Sequence, residues 1–388
     1  MELIDGVFVD LQKFTSNTLP KGLLNDLIVD GILAGLGGIL IFVPQIAFLF
    51  AFIAFLEDTG YMARVSFITD KLLRKVGLNG RSIIPLLSGA ACAVPAIMSA
   101  RTISSWKERI ITIMVTPLMS CSARLPVYTL IIALIIPAED YFGFNLQGLV
   151  MMTFYLIGFL SAIFVALVLK FIIKTDEKSY YIMELPSYKI PDWKTVAYTI
   201  VEKVKVFLFD AGKIIIAISI VLWFLSSFAP GNKFEQIEKK WAGTENAEMQ
   251  IASEKLEHSY AGIIGKSIEP AIKPLGFDWK IGISLITSFA AREVFVGTMS
   301  TIYSVGDDDI QSIQTRLSDL KNPETGKEFF TPAVGISLML FYAFAMQCMG
   351  TVAIVYRETN HWKWPVIQFL FMGVMAYVSS LLAFQFLS

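Results

Sequence analysis

The sequence predicts an all-α, polytopic transmembrane helical bundle with broken or re-entrant helices. Only 17% of the 388 residues are charged and 55% are hydrophobic, whereas a soluble domain has about 25% charged residues. Charge-free runs also exceed the roughly 20 residues that a helix needs to cross the hydrocarbon core. Both observations argue against a large soluble enzyme, and a net charge of −1 gives no basis for binding nucleic acid. The longest runs are Gly31–Leu56, Tyr141–Leu169, Phe329–Tyr356 and Trp364–Ser388.

The N-terminal segment, residues 1–20, is predicted to lie in the membrane interface. Its acidic start differs from a signal peptide, and its apolar residues recur at the spacing of an amphipathic helix. These residues are Leu3, Val7, Leu11 and Phe14.

The next elements read as membrane segments that contain helix breakers. Gly22–Leu56 is expected to be bent or broken around Pro44, and the basic amphipathic segment Tyr61–Val76 follows it. Ser82–Ala100 has a spanning length but contains two prolines and a glycine, and Ile110–Pro137 is interrupted around Pro117, Arg124 and Pro126. Tyr141–Leu169 reads as an unbroken span.

The positive-inside rule places the basic flanks of the first broken elements in the cytoplasm and Glu139 outside. The span Tyr141–Leu169 then returns the chain to the cytoplasm, so residues 175–194 are predicted to form a cytoplasmic linker. An amphipathic helix, an apolar span and a charged helical stretch follow. A broken element, an exposed loop and two long spans complete the chain. These seven parts correspond to Thr195–Phe207, Phe209–Ala229, Phe234–Leu256, Ile281–Ser304, Gly306–Lys327 and the last two charge-free runs.

An internal repeat is the strongest organisational feature. A shift of 199 residues places Gly60-Tyr61 on Ser259-Tyr260 and Ser88-Gly89 on Thr287-Ser288. Later, Met119-Ser120-Cys121 resembles Met346-Gln347-Cys348. Paired broken helices in two halves are what secondary transporters use to build a site in the middle of the membrane.

Three thiols and one carboxylate are expected at a common depth near these breaks, with Ser122 beside them. Sulfur and carboxylate ligands suit a first-row transition metal, and freed backbone carbonyls in a membrane must line a cavity or find partners. A membrane cysteine can also be a small packed hydrophobe, a serine can bond back to its helix, and the carboxylate can pair with an arginine. The candidate metal ligands are Cys92, Cys121, Cys348, Glu293 and Ser122.

One apparent nucleotide motif fails on its spacing. Gly262-Ile-Ile-Gly265-Lys266-Ser267 has two residues between its glycines, where a phosphate-binding loop needs four. We therefore expect no nucleotide site in this chain.

At several places the sequence resembles the FeoB ferrous iron transporters. The resemblance runs in order through essentially the whole chain. The motifs that carry it are Glu57–Arg64, Pro85–Ile97, Met119–Tyr128, Met183–Pro186, Ala290–Glu293 and Arg357–Thr359.

The resemblance implies two Gate repeats, in residues 21–174 and 195–388, and import of Fe²⁺ as the transported substrate across the bacterial inner membrane. It also implies a GTPase domain, which this chain lacks or receives separately, a small FeoA-like partner and a possible homo-oligomer. Cys92 and Cys121 match Gate-motif cysteines, and Cys348 occupies the corresponding place near the C-terminus. Where many members have Gly-Cys-Asn, this chain has Ala91-Cys92-Ala93, so an amide ligand is missing.

Two other functions remain open at this stage. A Gate-type carrier of an organic solute such as a nucleoside would need a site rich in amide and aromatic groups, and asparagine is scarce in the spans. A membrane scaffold that transports nothing would use Lys170–Lys194 and Gly231–Lys280 as docking surfaces. A membrane enzyme is disfavoured because no nucleophile–base pair or histidine cluster is visible.

Overall fold

The computed structural model describes most of the chain. The described residues are 6, 10–12, 14–16, 18, 20, 22–137, 139–141, 144–173, 188–230, 233–241, 247–289, 292, 294–302, 330–346 and 348–388. Leu3 and Val7 of the predicted interfacial segment, residues 175–187 of the linker, the loop at 306–327 and Glu293 lie outside them.

The all-α fold class is confirmed. Within the described residues, the sheet content is one antiparallel pair of two-residue strands, β1 (Asp140–Tyr141) and β2 (Phe144–Asn145). The first half of the chain contains α1 (Leu23–Asp26), α2 (Ala34–Asp58), α3 (Tyr61–Leu73), α4 (Ile83–Gly89), α5 (Ala93–Ser99), α6 (Trp106–Val115), α7 (Leu125–Ile135) and α8 (Leu146–Ile173).

The second half contains ten further described helices. They are α9 (Trp193–Val206), α10 (Gly212–Ser227), α11 (Lys233–Trp241), α12 (Ala247–His258), α13 (Tyr260–Ile272), α14 (Trp279–Thr287), α15 (Val294–Ile302), α16 (Pro332–Phe344), α17 (Met349–Thr359) and α18 (Lys363–Leu387).

The protein is a multi-pass membrane protein. Among the described residues, four helical segments are long and apolar enough to cross a bilayer. A fifth is possible if Ile46–Asp58 and Tyr61–Val76, which meet at 83°, form one broken span. The four segments are Trp106–Ile135, Leu146–Ile173, Pro332–Thr359 and Lys363–Leu387.

Gly22–Leu56 was expected to be bent or broken around Pro44, and it is not broken there, since Pro44 lies inside α2, which runs from Ala34 to Asp58. A membrane helix tolerates an internal proline, which has no backbone N–H to donate, when nearby groups satisfy the freed carbonyl. The irregularity comes earlier, as a π-helical turn at Leu27–Leu33. A second π-helical turn, Phe207–Ala211, joins α9 to α10.

The segment Ser82–Ala100 is not the spanning helix that its length allowed. It forms α4 and α5, two helices of seven residues, each about 10 Å long, and they pack against each other. Pro85 and Pro95 lie in the first turns of these helices, where the N–H that proline lacks has no helical partner anyway. The prolines therefore start two short helices.

The third of the four long uncharged runs is also interrupted. Phe329–Tyr356 was expected to be one long span, but α16 ends at Phe344 and α17 begins at Met349. Ala345 is extended, with φ −66° and ψ 140°. This break corresponds to the one between α6 and α7, where Thr116–Leu118 and Ser122–Arg124 form 3-10 turns.

The helices recur at the spacing of 199 residues. Helix α3 and helix α13 each have 13 residues and each ends in a three-residue 3-10 turn. The glycines that follow, Gly77 and Gly276, both have φ of 83°. The N-cap of the next helical segment is Asn79 in the first series and Asp278 in the second.

The chain divides into two compact units. Unit 1 draws on Met1–Ser122, Tyr155–Ile216 and Gly350–Leu370, and unit 2 on Ala123–Phe154, Ala217–Met349 and Phe371–Ser388. Each unit therefore combines early and late parts of the chain: α17 belongs to unit 1 and α7 to unit 2. The repeat boundaries at 21–174 and 195–388 stay a prediction.

These two helices contribute to the packing of the units that contain them. In unit 1, Ile354 and Val355 of α17 join a buried cluster that includes Ile97 of α5. In unit 2, a Cβ on Gly335 would lie 2.6 Å from the Ile135 side chain of α7, so this glycine lets α16 and α7 approach closely.

Candidate functional site

The first element of the candidate site is the chain break at Cys92. Helix α4 ends at Gly89, and Cys92 is extended, with φ −155° and ψ 132°, before α5 begins. The Cys92 N–H still donates to the Ser88 carbonyl over 3.0 Å. The side chain is partly buried and packs against the unit 1 core. The thiol thus lies at a point where two short helices have their ends.

The second element is the break that contains Cys121. After the 3-10 turn at Thr116–Leu118, Met119 adopts an extended conformation, and the chain resumes a helical path at Ser122. Cys121 is partly buried, whereas its neighbour Ser120 is buried. The interruption that the prolines predicted is therefore present and includes the thiol.

The two breaks of the first repeat contact each other. The Ser122 hydroxyl donates to the Ala91 carbonyl over 3.0 Å, and the Ser122 N–H approaches the same oxygen at 3.4 Å. Ala91 precedes Cys92 and Ser122 follows Cys121, so one polar contact joins the two thiol-bearing segments. The predicted ligand Ser122 thus bonds across to the other break, whereas a back-bond to its own helix was the alternative.

Two glycines allow this close approach. A Cβ on Gly89 would lie 3.2 Å from the Thr116 methyl group. On the long helix α8, a Cβ on Gly158 would lie 2.7 Å from the Ser120 hydroxyl oxygen and 3.1 Å from the Leu118 carbonyl oxygen. A side chain at position 158 would therefore overlap the Cys121 break, and one at position 89 would require a small shift of Thr116.

The second repeat joins its two breaks in the same way, within unit 2. The Met349 N–H donates to the Phe289 carbonyl over 3.3 Å. The Arg292 guanidinium, which is buried, donates to the carbonyls of Tyr342 and Ala345 over 3.2 and 3.1 Å. A cation at the end of α16 satisfies carbonyls that the helix leaves free and complements its dipole.

Three of the five predicted ligands lie in segments that contact each other. Cys92, Cys121 and Ser122 belong to the joined breaks of unit 1, and Cys348, partly buried, lies in the break of unit 2. Glu293 lies outside the described residues. Among the described residues, no group of three or more His, Cys, Asp or Glu side chains could hold a metal ion.

Two arginines pair with one buried carboxylate. Arg101 pairs with Glu358, since its Nε lies 2.8 Å from both carboxylate oxygens. Arg109 binds the same carboxylate over 2.8 Å. Sequence reasoning assigned Glu358 no role, although an acidic residue at the end of a long uncharged run could have singled it out. Arg124 is fully buried.

The segment that resembles a nucleotide-binding motif is a helix and not a loop. Residues 262–267 lie within α13, and a Cβ on Gly265 would lie 2.6 Å from Ile283 of α14. The Lys266 ammonium group binds Glu257 over 2.9 Å. The glycines here therefore serve helix packing.

Comparison with known proteins gives the family. The Gate family, described as "Nucleoside recognition", matches residues 39–135 and 208–362, together well over half of the chain. The family described as "Ferrous iron transport protein B C terminus" matches residues 151–203. The chain belongs to the FeoB family. It corresponds to the C-terminal membrane region of FeoB.

Several FeoB relatives are similar over nearly the whole chain. A protein named Fe(2+) transporter FeoB from Leptospira biflexa is 45% identical over 99% of this chain and 54% of its own length. One of the same name from Staphylococcus aureus is 37% identical over 98% and 52%. A Fe(2+) transport protein A/FeoB fusion protein from Porphyromonas gingivalis is 38% identical over 95% and 45%. The chain thus spans about half the length of these FeoB relatives, and no solved structure matches it.

The two Gate matches coincide with the two sets of helix breaks. The first match contains Cys92, Cys121 and Ser122, and the second contains Glu293 and Cys348. The FeoB C-terminal match covers most of α8, the linker and most of α9. The joined breaks are therefore the parts of this FeoB chain that the Gate family describes.

Proposed function

We propose that the chain is the permease part of a bacterial ferrous-iron importer of the inner membrane. The observation that carries the proposal is the joining of the Cys92 and Cys121 breaks by the Ser122–Ala91 contact. Its relatives are named Fe(2+) transporters, which makes Fe²⁺ the cargo to test. Broken helices with free polar ends are where membrane transporters bind ions.

The chemistry of the joined breaks suits Fe²⁺. Cys92 and Cys121 offer sulfur ligands, which suit borderline transition metals better than Mg²⁺ or Ca²⁺. Backbone carbonyls at the end of α4 add oxygen ligands and a partial negative charge. A path with few ligands at each point also lets the ion leave, as conduction requires.

In the second repeat, the corresponding candidate ligands are Cys348 and Glu293. Cys348 contributes a thiol and Glu293 a negative charge that balances the cation. The Nη groups of Arg292 already donate to two carbonyls, which supports a structural role for this arginine. A carboxylate at membrane depth costs several kcal/mol unless it has a partner, so a functional role is the default expectation.

Uptake of Fe²⁺ by proteoliposomes tests the proposal. Cys121→Ser and Glu293→Gln should each lower Fe²⁺ flux about ten-fold. Because serine replaces a soft ligand with a hard one, Cys121→Ser should also lower the Fe²⁺ to Mn²⁺ flux ratio, whereas a folding defect would lower both fluxes equally. Glu257→Gln, which removes a partly exposed carboxylate bound to Lys266, is the matched control. Unchanged Fe²⁺ flux in both test variants would refute the ligand assignments.

The Ser122 contact has its own test. Ser122→Ala removes the hydroxyl bond between the breaks, and Ser161→Ala removes a comparable hydroxyl bond, from Ser161 to the Gly158 carbonyl within α8. We expect Ser122→Ala to reduce Fe²⁺ flux several-fold and Ser161→Ala to leave it unchanged. Equal flux in the two variants would show that the Ser122 hydroxyl bond does not matter for transport.

A nucleoside carrier is the second candidate, because the matching Gate family is described as "Nucleoside recognition". The thiol-bearing breaks favour a metal over a base and sugar. Thermal unfolding of the purified protein distinguishes the two. Stabilisation by a nucleoside but not by Fe²⁺ or Mn²⁺ would reverse the assignment.

We also propose that the chain works with a GTPase domain and a FeoA-like protein. The Porphyromonas gingivalis relative is named as a fusion of transport protein A with FeoB, which supports a partner of that kind. Co-purification of the tagged chain with a FeoA-like protein from the same genome would test the pairing, and separate elution at micromolar concentration would contradict it.

A further inference from the structure

Helix α3 carries apolar side chains on the outside of unit 1 and polar ones on the inside. Ser66 is buried, and the Asp70 carboxylate accepts from the Gly80 N–H over 2.9 Å. Ile68 and Leu72, in contrast, are 74% and 67% exposed. An exposed apolar surface marks a contact with a membrane or with a partner.

The direction of α3 is nearly perpendicular to that of the preceding helix. Ile46–Asp58 of α2 meets Tyr61–Val76 at 83°. A helix with the 16 residues of Tyr61–Val76 is about 24 Å long, which is less than the roughly 30 Å of the hydrocarbon core. Both the angle and the length therefore allow α3 to lie along a membrane surface.

The N-terminal end of α3 lies beside an exposed ion pair. The carboxylate of Asp58, the last residue of α2, binds the Lys189 ammonium group over 2.7 Å and accepts from the Asp192 N–H over 2.6 Å. The Lys189 side chain is 62% exposed. Because charged side chains cost several kcal/mol at hydrocarbon depth, this end of α3 faces water.

The C-terminal end of α3 lies beside the end of α8, which is long and apolar enough to span the membrane. The Lys170 ammonium group donates to the carbonyls of Arg74 and Lys75 over 3.3 and 3.0 Å. Lys170 is three residues from Ile173, where α8 ends. This contact places the end of α3 at the level where α8 leaves the bilayer.

Both ends of α3 therefore lie at one face of the membrane. Residues 174–188 connect the end of α8 to Lys189, and five of these 15 residues are charged, so the stretch is too short and too polar to cross the bilayer. Lys170 and Lys189 are consequently on the same side, as are the two ends of α3 that they mark. A helix with both ends at one face does not cross the membrane.

We propose that α3 lies in the plane of the bilayer and inserts its exposed apolar side into the lipid headgroup region. Interfacial helices bury such a side about 5–10 Å into the boundary between headgroups and acyl chains. Lys71 and Lys75 are exposed one turn from Ile68 and Leu72, and long lysine side chains reach from an apolar surface to the headgroups.

The occupant of this surface is lipid, because the surface continues onto a membrane-spanning helix. Phe171 and Ile172 of α8 follow Lys170 and are 77% and 68% exposed. The outer side of α8 faces lipid, so the end of α3 that contacts Lys170 meets the same leaflet. A soluble partner would have to displace lipid from this corner.

Electron paramagnetic resonance of the full chain in lipid nanodiscs tests the proposal. p-Acetylphenylalanine replaces Tyr61, Ile68 or Leu72 singly and is coupled to a nitroxide through its ketone, which leaves the cysteines unchanged. Collisions with oxygen, which partitions into hydrocarbon, and with a nickel chelate, which stays in water, give the depth of each label. Leu160, exposed in the middle of α8, is the hydrocarbon reference, and Ala252, exposed on the charged helix α12, is the aqueous reference.

We expect the three α3 labels to share one depth, about 5–10 Å inside the lipid phosphates. A helix that continued across the bilayer would place Tyr61 and Leu72 about 16 Å apart in depth, and such a gradient would overturn the proposal. Nickel accessibility equal to that of Ala252 at all three positions would overturn it as well, and would assign this side to water or to a soluble partner. The depth of Leu160 at all three positions would also contradict it. Phe67, which is 53% exposed, replaces any position whose labelled variant elutes as an aggregate.

Discussion

The Glu358 carboxylate holds three segments of unit 1 together. It is 5% exposed and accepts hydrogen bonds from Arg101, which follows α5, and from Arg109 on α6. Glu358 itself lies on α17, which comes from the second repeat. The hydrogen bond with Glu358 raises the pKa of Arg101 further above its ordinary value, so this guanidinium stays charged at any working pH.

We predict that Glu358→Gln destabilises the protein by about 2 kcal/mol, because Arg109 and the half-exposed Arg101 lose the buried carboxylate that they share. Thermal unfolding in detergent measures the effect. Glu257→Gln, at a partly exposed ion pair, should cost less than about 1 kcal/mol. Equal melting temperatures for the two variants would contradict the role of the cluster.

Asp278 and Asn79 are equivalent N-cap residues with different neighbours. The Asp278 carboxylate accepts from the Ile281 N–H over 2.9 Å, and burial raises the pKa of Asp278 despite that bond. Asn79 is buried, and its amide donates to Glu108 over 3.0 Å. The Asn79 amide is therefore needed to donate to Glu108, whereas burial of the charged Asp278 carboxylate costs stability.

The substitutions Asp278→Asn and Asn79→Asp should have opposite effects on stability. A raised folded-state pKa means that the contribution of Asp278 to stability is largest at low pH and falls as pH rises above the ordinary value of 3.8. Asp278→Asn should therefore stabilise slightly at pH 7, by less than about 1 kcal/mol, and this gain should shrink on acidification. Asn79→Asp should cost about 2 kcal/mol, because two carboxylates would face each other. Melting temperatures across pH measure both, and a destabilised Asp278→Asn would contradict the argument.

At the scale of elements, the turn after each thirteen-residue helix depends on one glycine. Gly77 and Gly276 have positive φ, a conformation that other residues adopt at a cost. Each also faces a long helix: a Cβ on Gly77 would lie 2.6 Å from the Lys170 side chain, and one on Gly276 would overlap the Phe384 ring.

We predict that Gly276→Ala destabilises the protein by about 2 kcal/mol or more, from backbone strain and from overlap with Phe384. Gly373→Ala, at a helical position with no atom within 4 Å of the added Cβ, should be neutral or slightly stabilising. If Phe384→Ala in the Gly276→Ala background restores part of the loss, overlap is the cause. Equal melting temperatures for the two single variants would exclude both causes.

The sequence predicted most positions where helices are interrupted, but not always the form that the chain takes there. Pro117 and Pro126 do mark the interrupted helix around Cys121, whereas Pro44 lies in a continuous one. The difference is tertiary: a proline in the first turn of a helix costs no hydrogen bond, and one inside a helix depends on neighbours that the sequence does not reveal. The break at Ala345–Cys348 contains no proline at all, and the buried Arg292 guanidinium satisfies the carbonyls there.

The candidate site was predictable to a similar degree. The breaks placed Cys92 and Cys121 in irregular segments, but the bond from Ser122 to Ala91 spans 31 residues and depends on glycines of other helices. The Glu358 cluster joins residues about 250 positions apart. Spacing rules describe one element at a time, so contacts between distant elements could not be read from them.

At the scale of the whole molecule, each compact unit contains residues from both Gate matches. Unit 1 buries Ile354 and Val355 of α17, and in unit 2 helix α7 packs against α16. The unit of sequence repetition and the unit of packing are thus different.

We predict that the chain cut between residues 174 and 187 folds only when both pieces are present. The N-terminal piece alone lacks α17, and the C-terminal piece lacks α7, so each would leave part of a core unfilled. Co-expressed pieces should co-purify and melt in one transition, whereas single pieces should aggregate. A monodisperse, cooperatively melting single piece would contradict the prediction.

Because α17 belongs to unit 1, unit 1 can complete its fold only late in synthesis. Chains begin to fold from the N-terminus while the ribosome is still at work, yet unit 1 includes residues 350–370. Its first 122 residues must therefore wait in the bilayer, with the Arg101 and Arg109 side chains lacking the Glu358 carboxylate, until those late residues are translated and inserted. A chain stalled before residue 350 would present an incomplete unit 1 to membrane quality-control proteases.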